Sequence, residues 1–266
     1  MIEKNVDTFL IVTIILSTLV VIFILFPLVT TIVTSGRDEI RQTLSDHEVL
    51  RSLGITFFAA FISMGLGLAG GIPLAYILSR KKFPGKTILE GIINLPLVIP
   101  HTAAGIALLM VFGRNGMFGK LFASIGIFFT DHIAGIVVAM LFVGIPFLIN
   151  ASRDAFDLID PELELVAQTD GASNWQCFWF ITLPNAWRAI LSGLVMMGAR
   201  GVSEFGAVAI IAYHPITVPV LIFERFQGFG LQSAQPIAAI LIIISLAAFI
   251  VIRTLSAKKN GEDDRS

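Results

Sequence analysis

Two opposite charges lie inside an apolar stretch of the chain. Arg200 and Glu204 are four residues apart between Ala199 and Ala207, so on a helix they share one face and are within pairing distance. When such a stretch spans a membrane, its charged residues usually face the interior of a helix bundle or an aqueous path. The spacing therefore predicts either an internal clamp or a place along a substrate pathway. Ser203 lies between the two charges and belongs to the same prediction.

A second polar motif surrounds two prolines. Pro96 and Pro100 are four residues apart and are flanked by Asn94, His101 and Thr102. Proline has no backbone N–H and interrupts helical hydrogen bonding, and irregular backbone at membrane depth either lines a cavity or is buried in protein. We therefore expect Pro96, Pro100 and His101 to line a pathway. A kink that neighbouring helices bury is the alternative.

No set of residues predicts catalysis or metal binding. The four histidines fall in different segments without metal-ligand spacing, and Cys177 is the only cysteine. Residues 85–87 resemble the end of a phosphate-binding loop, but Arg80 stands where that loop requires its first glycine. Spacing groups no serine with a histidine and an aspartate. We therefore expect no catalytic residue, no metal and no cofactor in this chain.

The elements that must position these residues are membrane helices. Of the 266 residues, 56% are hydrophobic and 14% are charged, and the mean hydropathy is +0.87. A water-facing surface needs roughly 25–35% charged residues, so the composition excludes a soluble enzyme. The net charge of −1 provides no basic field for nucleic acid. Membrane lipid is the expected environment.

Six runs are long and apolar enough to span a bilayer, which takes about 20 residues for each helix. They are residues 9–33, 53–79, 91–113, 133–152, 187–212 and 234–252. The predicted fold class is therefore all-α, a polytopic membrane helix bundle with six transmembrane helices in a single domain, 1–266. The further apolar run 121–130 is too short to span and is expected to be an interfacial or re-entrant segment, with a seventh span as the alternative.

Lysine and arginine residues are distributed unequally between the two sides of this predicted bundle. Eleven fall on the side that carries both termini and the long connection 153–186, and six fall on the other side. Cytoplasmic connections carry the excess of basic residues in membrane proteins. We therefore expect a multi-pass protein of the cell membrane with both termini in the cytoplasm.

The long connection contains an acidic part, a glycine and an aromatic cluster. Trp175, Phe178 and Trp179 follow the i, i+3, i+4 spacing of one helix face, and Gly171 is placed to turn the chain before them. An apolar face on such a loop favours docking to a partner, with an aromatic belt at the membrane interface as the alternative. Cys177 lies in the same loop, and we expect its thiol to be accessible from the cytoplasm.

This connection also resembles a family signature, EAA, three residues, Gly, nine residues, Ile, one residue and Leu-Pro. Its positions are matched by Ala167, Gly171, Ile181, Leu183 and Pro184. Leu165 and Val166 replace the Glu and the first Ala of the signature, and Glu164 lies one place early. The chain thereby resembles the permease subunits of type I binding-protein-dependent ABC importers. Residues 95–105 and 199–207 resemble the molybdate/tungstate and sulfate permease branch, and residues 210–215 resemble the archaeal-type molybdate/tungstate permeases.

The resemblance implies that the loop is a coupling helix that fits into a cleft on an ATP-binding subunit. The residues implied for this contact are Glu164, Ala167, Gly171, Ala172, Trp175, Phe178, Trp179, Leu183 and Pro184. A second copy of the chain, two ATP-binding cassette subunits and an external oxyanion-binding protein would complete the importer. ATP hydrolysis would then belong to the partner, so the chain itself is not expected to be an enzyme.

The implied substrate is molybdate or tungstate. Within the family, sulfate or thiosulfate is the alternative. A stand-alone secondary transporter, from another class, would be expected to contain an inverted repeat, and an intramembrane enzyme would need a catalytic pair. The sequence contains no convincing example of either feature.

Overall fold

The computed structural model describes residues 8–258, and every regular element in this range is helical. The predicted all-α fold class is therefore confirmed. The chain divides into two compact units. One contains the chain up to Leu50 together with Ile222–Ala247, and the other contains Arg51–Leu221 together with the chain from Ala248 onward.

Thirteen α-helices and two short helical turns make up the described chain. The helices are α1 (Thr8–Thr34), α2 (Arg37–Ser45), α3 (His47–Arg80), α4 (Lys86–Asn94), α5 (His101–Phe112), α6 (Met117–Ala123), α7 (Ile133–Asp157), α8 (Glu162–Thr169), α9 (Asn174–Cys177), α10 (Leu183–Val202), α11 (Gly206–Ile211), α12 (Val218–Phe229) and α13 (Leu231–Lys258). The turns are a 3₁₀ turn at Leu95–Leu97 and a π turn at Phe178–Thr182. Both chain termini, whose cytoplasmic location is predicted, lie outside the described residues.

The first unit contains a helix that is apolar around its whole circumference. Nearly all side chains of α1 from Phe9 to Val33 are exposed, as expected of a helix that faces lipid.

The same unit contains a charged network at the start of α3. Arg225 Nη2 of α12 lies 3.0 Å from Asp46 Oδ2 and 2.6 Å from Glu48 Oε2, so α12 is joined to the start of α3.

Two apolar clusters form the core of the second unit. One is centred on α5, α7 and α11 and includes Val208, and the other lies where α3, α7 and α10 meet and includes Leu148 and Ile190.

The close approach of α3 to α10 depends on a glycine. A Cβ atom on Gly67 would lie only 2.6 Å from Met197 Cε. A larger side chain at this glycine would require the methionine to move.

Five helices of the described chain are each long and apolar enough to cross a bilayer. They are Phe9–Thr34, His47–Arg80, Ile133–Asp157, Asn174–Val202 and Leu231–Ala248. The bent pair Lys86–Leu97 and His101–Phe112 makes a sixth span if its two parts are counted together. The predicted number of six is therefore reached only by including an interrupted span.

The predicted third span, 91–113, differs from the structure because it is not one straight helix. α4 and its 3₁₀ turn meet α5 at an angle of 110°. Pro96 lies within the 3₁₀ turn, and the Pro100 carbonyl accepts a hydrogen bond of 3.0 Å from Ala104 N–H at the start of α5. Because proline cannot donate a backbone hydrogen bond, the two prolines separate the helices.

The predicted fifth helix, 187–212, is also interrupted. α10 ends at Val202, the chain turns through residues 203–205, and α11 follows. Glu204 Oε1 accepts a hydrogen bond of 2.8 Å from Ala207 N–H. This bond satisfies one of the free N–H groups at the beginning of the new helix, so the carboxylate stabilises the interruption.

We expect Gly105→Ala to weaken the packing of α5 against α11. A Cβ atom on Gly105 would lie 2.8 Å from Ile210 Cβ and 2.9 Å from Ala207 Cα, so the backbone would have to shift. Overpacking of this kind costs about 1–3 kcal/mol. The measurement is the melting temperature of the purified protein, with Gly70→Ala as the control because no atom lies within 4 Å of its Cβ position. Equal melting temperatures for the two variants would contradict the expectation.

Candidate functional site

Arg200 and Glu204 form the ion pair that their spacing predicts. Arg200 Nη2 lies 2.8 Å from Glu204 Oε2, and Glu204 is only 1% exposed. Its other carboxylate oxygen accepts the hydrogen bond from Ala207 N–H. Both oxygens are therefore engaged within the chain. Glu204 links the last turn of α10 to the first turn of α11.

His101, the first residue of α5, joins this pair. Its Nε2 lies 2.6 Å from Arg200 Nη2, and its Nδ1 lies 3.7 Å from Glu204 Oε2. The two interrupted spans approach closely at this point, because a Cβ atom on Gly206 would lie 2.9 Å from His101 Cβ. Arg200, Glu204 and His101 are called the charge cluster below. The structure thus adds His101 to the predicted pair, a contact that the spacing of the residues does not predict.

Ser203 and the two prolines border the charge cluster. Ser203 is exposed, and its Oγ lies 3.3 Å from Arg200 Nη1. Pro100 directly precedes His101 and sets the start of α5, whereas Pro96 is buried in the 3₁₀ turn. Ser203 can therefore add a polar group to the exposed side of the cluster, while the prolines determine where the backbone bends.

The charge cluster can serve two chemical purposes. Its ion pair connects the ends of interrupted helices, and its exposed side presents N–H donors from the partly exposed Arg200. Because Glu204 balances the charge of Arg200, an approaching anion meets donors without a large net positive charge. Within residues 8–258, no group of three or more His, Cys, Asp or Glu side chains could hold a metal ion.

The loop between α7 and α10 turns at the glycine that the sequence indicates. Gly171 follows α8 with φ of +95°, a conformation that favours glycine. α9 then begins with a reciprocal cap, in which Ser173 Oγ accepts from Gln176 N–H at 3.3 Å and Gln176 Oε1 accepts from Ser173 N–H at 2.8 Å. The loop is therefore an ordered helix–turn–helix.

Glu164 on α8 is buried, with 7% exposure, against side chains from two other parts of the chain. Oε1 accepts from Arg80 Nε at 2.9 Å and from Thr182 Oγ1 at 2.7 Å, and Oε2 accepts from Tyr76 OH at 2.9 Å. Burial alone would raise the pKa of Glu164, but the hydrogen bonds from Thr182, Tyr76 and Arg80 outweigh it and hold the pKa below its ordinary value. These hydrogen bonds to the ionised carboxylate stabilise the folded chain at neutral pH, and this stabilisation is lost as pH falls through the lowered pKa.

The burial of Glu164 changes its expected role as a contact for a partner subunit. A carboxylate that accepts three hydrogen bonds inside its own chain is not presented to a partner subunit. Sequence reasoning missed Arg80, Tyr76 and Thr182, because no helical spacing connects them to Glu164. The sequence contains two weak signals of this contact, because Arg80 lies at the end of a span and Glu164 lies one place before its signature position.

Trp175 and Trp179 form an exposed aromatic pair on α9 and the π turn. Their side chains are 69% and 46% exposed, and their ring centroids are 5.6 Å apart. Phe178, which was predicted to share this surface, is partly buried instead, and its ring centroid lies 5.1 Å from that of Tyr76. Of the three aromatic residues predicted to form the docking face, the two tryptophans are therefore exposed and Phe178 is not.

The other residues implied for the coupling contact have mixed surroundings. Ala167 and Ala172 are half-buried, and Ala172 N–H donates to the Ala167 carbonyl at 2.9 Å across the Gly171 turn. Leu183 begins α10 and packs against the apolar core, whereas Pro184 in the same turn is exposed. Most of these residues shape the loop, and few of them form its outer surface.

Cys177 is buried, and the expectation of an accessible thiol is wrong. The residue is 1% exposed, and its Sγ lies 3.6 Å from the Glu164 carbonyl oxygen. Residues that are two positions apart along an α-helix differ by roughly 200° in direction around its axis. The side chain of Cys177 therefore points inward where that of Trp175 points outward.

Apolar helices of spanning length make this a multi-pass membrane protein. The chain belongs to the family of binding-protein-dependent transport system inner membrane components, which matches residues 67–259. That match includes the loop, both interrupted spans and the whole charge cluster. Membership of this family confirms the resemblance that the loop signature indicates.

Individual relatives agree with the family assignment. The molybdate/tungstate transport system permease protein WtpB of Pyrococcus furiosus is 42% identical over 90% of this chain and 92% of its own length. The sulfate transport system permease protein CysT of Escherichia coli is 32% identical over 82% of this chain and 80% of its own length. A crystal structure of a bacterial ABC transporter involved in the import of alginate has the same fold, with a TM-score of 0.74, 18% identity and coverage of 94% and 96% of the two chains.

Proposed function

We propose that this chain is the transmembrane permease subunit of an ATP-driven importer for molybdate or tungstate. The observation that carries the proposal is the 42% identity to a molybdate/tungstate permease over nine-tenths of the chain. The charge cluster is compatible with such a substrate, because the partly exposed N–H groups of Arg200 are donors that suit an oxyanion.

The proposed assembly contains two copies of this chain, two ATP-binding cassette subunits and an external oxyanion-binding protein. Trp175 and Trp179 would insert into the ATP-binding subunit, since an exposed aromatic pair on an ordered loop is suited to a groove on a partner. The matching spacing of Ala167, Gly171 and the Leu183-Pro184 pair supports this contact. ATP hydrolysis would take place in that subunit.

The proposed orientation places both termini and the connection 153–186 in the cytoplasm. The excess of lysine and arginine on this side supports it. Docking of an ATP-binding subunit requires the same orientation, because ATP is cytoplasmic. In this proposal the chain acts as a single permease domain, 1–266, in the cell membrane.

Transport would follow from movement of the docked loop. Closure of the ATP-binding subunits would shift the loop and switch the helices around the pathway between inward-facing and outward-facing states. Pro96, Pro100, His101, Arg200, Ser203 and Glu204 would border that pathway. Since a site that binds tightly also releases slowly, the neutralisation of Arg200 by Glu204 suits passage better than storage.

Sulfate or thiosulfate is the second candidate substrate. The identity of 32% to a sulfate permease favours it over unrelated solutes, but that relative is more distant than the molybdate/tungstate permease. All four anions are tetrahedral dianions, so the charge cluster alone does not distinguish them. A stand-alone secondary transporter or an intramembrane enzyme has no comparable support.

The test is uptake by proteoliposomes that contain the permease, its ATP-binding subunit and its oxyanion-binding protein. We expect ATP-dependent uptake of molybdate or tungstate, with uptake of sulfate at least about tenfold slower at equal concentrations. Omission of ATP is the control. Sulfate uptake that equals or exceeds molybdate and tungstate uptake would contradict the proposed substrate, and ATP-independent uptake would contradict the proposed class.

A further inference from the structure

We propose that Glu164 is a positioning residue that locks the loop onto the membrane helices, so that movement of the docked loop is transmitted to the charge cluster. This inference rests on the proposed function, because it assigns a role in coupling. In this role Glu164 contacts other residues of the permease itself, and it does not contact the ATP-binding subunit.

The contacts of Glu164 join three parts of the chain through one carboxylate. Tyr76 and Arg80 belong to the last turns of α3, and Thr182 is the last residue before α10. Arg80 also donates through Nη1 to the Phe156 carbonyl of α7 at 2.8 Å. The end of each helix around the loop is therefore tied, directly or through Arg80, to α8.

Glu164 is the buried residue of α8, and the rest of that helix makes little contact with the core. Leu163, Leu165 and Val166 are all exposed, and Ala167 is half-buried. An ion pair with good geometry and additional hydrogen bonds holds two elements in one arrangement, and removal of one partner is strongly destabilising. The orientation of α8 thus depends on this carboxylate more than on apolar packing.

A continuous helix connects this anchor to the charge cluster. Thr182 immediately precedes α10, and Arg200 lies in the last turn of the same helix. A helix of 20 residues is about 30 Å long and moves as a rigid element. A shift of α8 that the carboxylate passes to Thr182 would therefore move Arg200 at the far end of α10.

The first test uses the purified permease without any partner. Glu164→Gln removes the charge, Thr182→Val and Tyr76→Phe each remove one hydrogen bond to Glu164 with little change in shape, and Glu162→Gln is the control on the exposed face of α8. We expect amide hydrogen exchange in α8 to become about tenfold faster in Glu164→Gln, with a smaller increase in the two milder variants and no change in the control. Unchanged exchange in all the variants would overturn the inference whether or not the protein transports molybdate.

The second test measures ATP hydrolysis and anion uptake in proteoliposomes of the complete importer. We expect the ATP-binding subunit to copurify with Glu164→Gln in a normal amount and to hydrolyse ATP, while the ATP consumed per anion rises about tenfold. Thr182→Val and Tyr76→Phe should raise this ratio to a smaller extent, and Glu162→Gln should not raise it. A merely structural defect would lower hydrolysis and uptake together and leave the ratio unchanged.

Two outcomes would separate this inference from the proposed function. An unchanged ratio in Glu164→Gln and Thr182→Val, in an importer whose wild-type form transports molybdate or tungstate, would overturn the inference alone. Loss of the ATP-binding subunit from Glu164→Gln, with normal exchange in α8, would also overturn it by showing a direct contact. Absence of ATP-dependent uptake by the wild-type complex would contradict the proposed function, while the exchange measurement would still decide whether Glu164 anchors α8.

Discussion

Arg200→Gln is expected to destabilise the permease more than Glu204→Gln does. The arginine variant leaves the Glu204 carboxylate, which is 1% exposed, without its cation, and an unpaired buried charge costs about 3–5 kcal/mol. In the glutamate variant the amide oxygen can still accept from Ala207 N–H, and Arg200 remains partly exposed. The measurement is the melting temperature and the yield of folded permease from membranes.

The double variant Arg200→Gln/Glu204→Gln separates the two roles of the pair. If the pair is a clamp, the double variant should recover most of the stability lost in Arg200→Gln, because no buried charge remains unpaired. If Arg200 also offers its N–H groups to the oxyanion, uptake should stay low in the recovered protein. We expect both results. Gly70→Ala is the control, because no atom lies within 4 Å of its Cβ position. Normal stability and normal uptake in all three charge variants would contradict both roles.

Replacing Trp175 and Trp179 together with Asp is expected to abolish binding of the ATP-binding subunit. Large aromatic side chains in a partner groove are typical hot spots, and the loss of two of them corresponds to about a 100-fold or greater loss of affinity. Both rings are exposed, so the permease itself should stay folded. The measurement is copurification of the ATP-binding subunit with the membrane-inserted permease.

Asn174→Asp is the matched control for the tryptophan variant. It adds a negative charge to the same short helix without removing a ring, and an acidic residue in the first turn is favourable for a helix. This control should retain the ATP-binding subunit. If the tryptophan variant is instead lost from the membrane, the two rings belong to an aromatic belt at the membrane interface and the docking role is contradicted.

The parts of the structure that follow from local spacing could be predicted from the sequence. Long apolar runs gave the helical class, the i, i+4 spacing paired Arg200 with Glu204, and a glycine after an acidic helix placed the turn at Gly171. Each of these depends on residues within one or two helical turns. The pairing is local enough that it forms even though Glu204 lies beyond the end of α10.

Contacts between distant parts of the chain could not be predicted in this way. His101 and Arg200 meet because two interrupted spans pack against each other, and periodicity does not indicate which helices become neighbours. Glu164 reaches Arg80 for the same reason. Phe178 illustrates a smaller error, since three positions spaced i, i+3, i+4 cover roughly 100° of helix surface. A residue at the edge of so wide a face can pack inward while its neighbours stay exposed.

The burial of Cys177 makes the natural protein a convenient starting point for mapping its own topology. The chain has one cysteine, and its thiol lies inside the loop beside a backbone carbonyl. Thiol-reactive labels should therefore react weakly with the unmodified permease. A single cysteine introduced at an exposed position, such as Lys82 on one predicted side or Arg114 on the other, would then report its location above a low background. The proposed orientation can be determined this way in intact cells, without first constructing a cysteine-free variant.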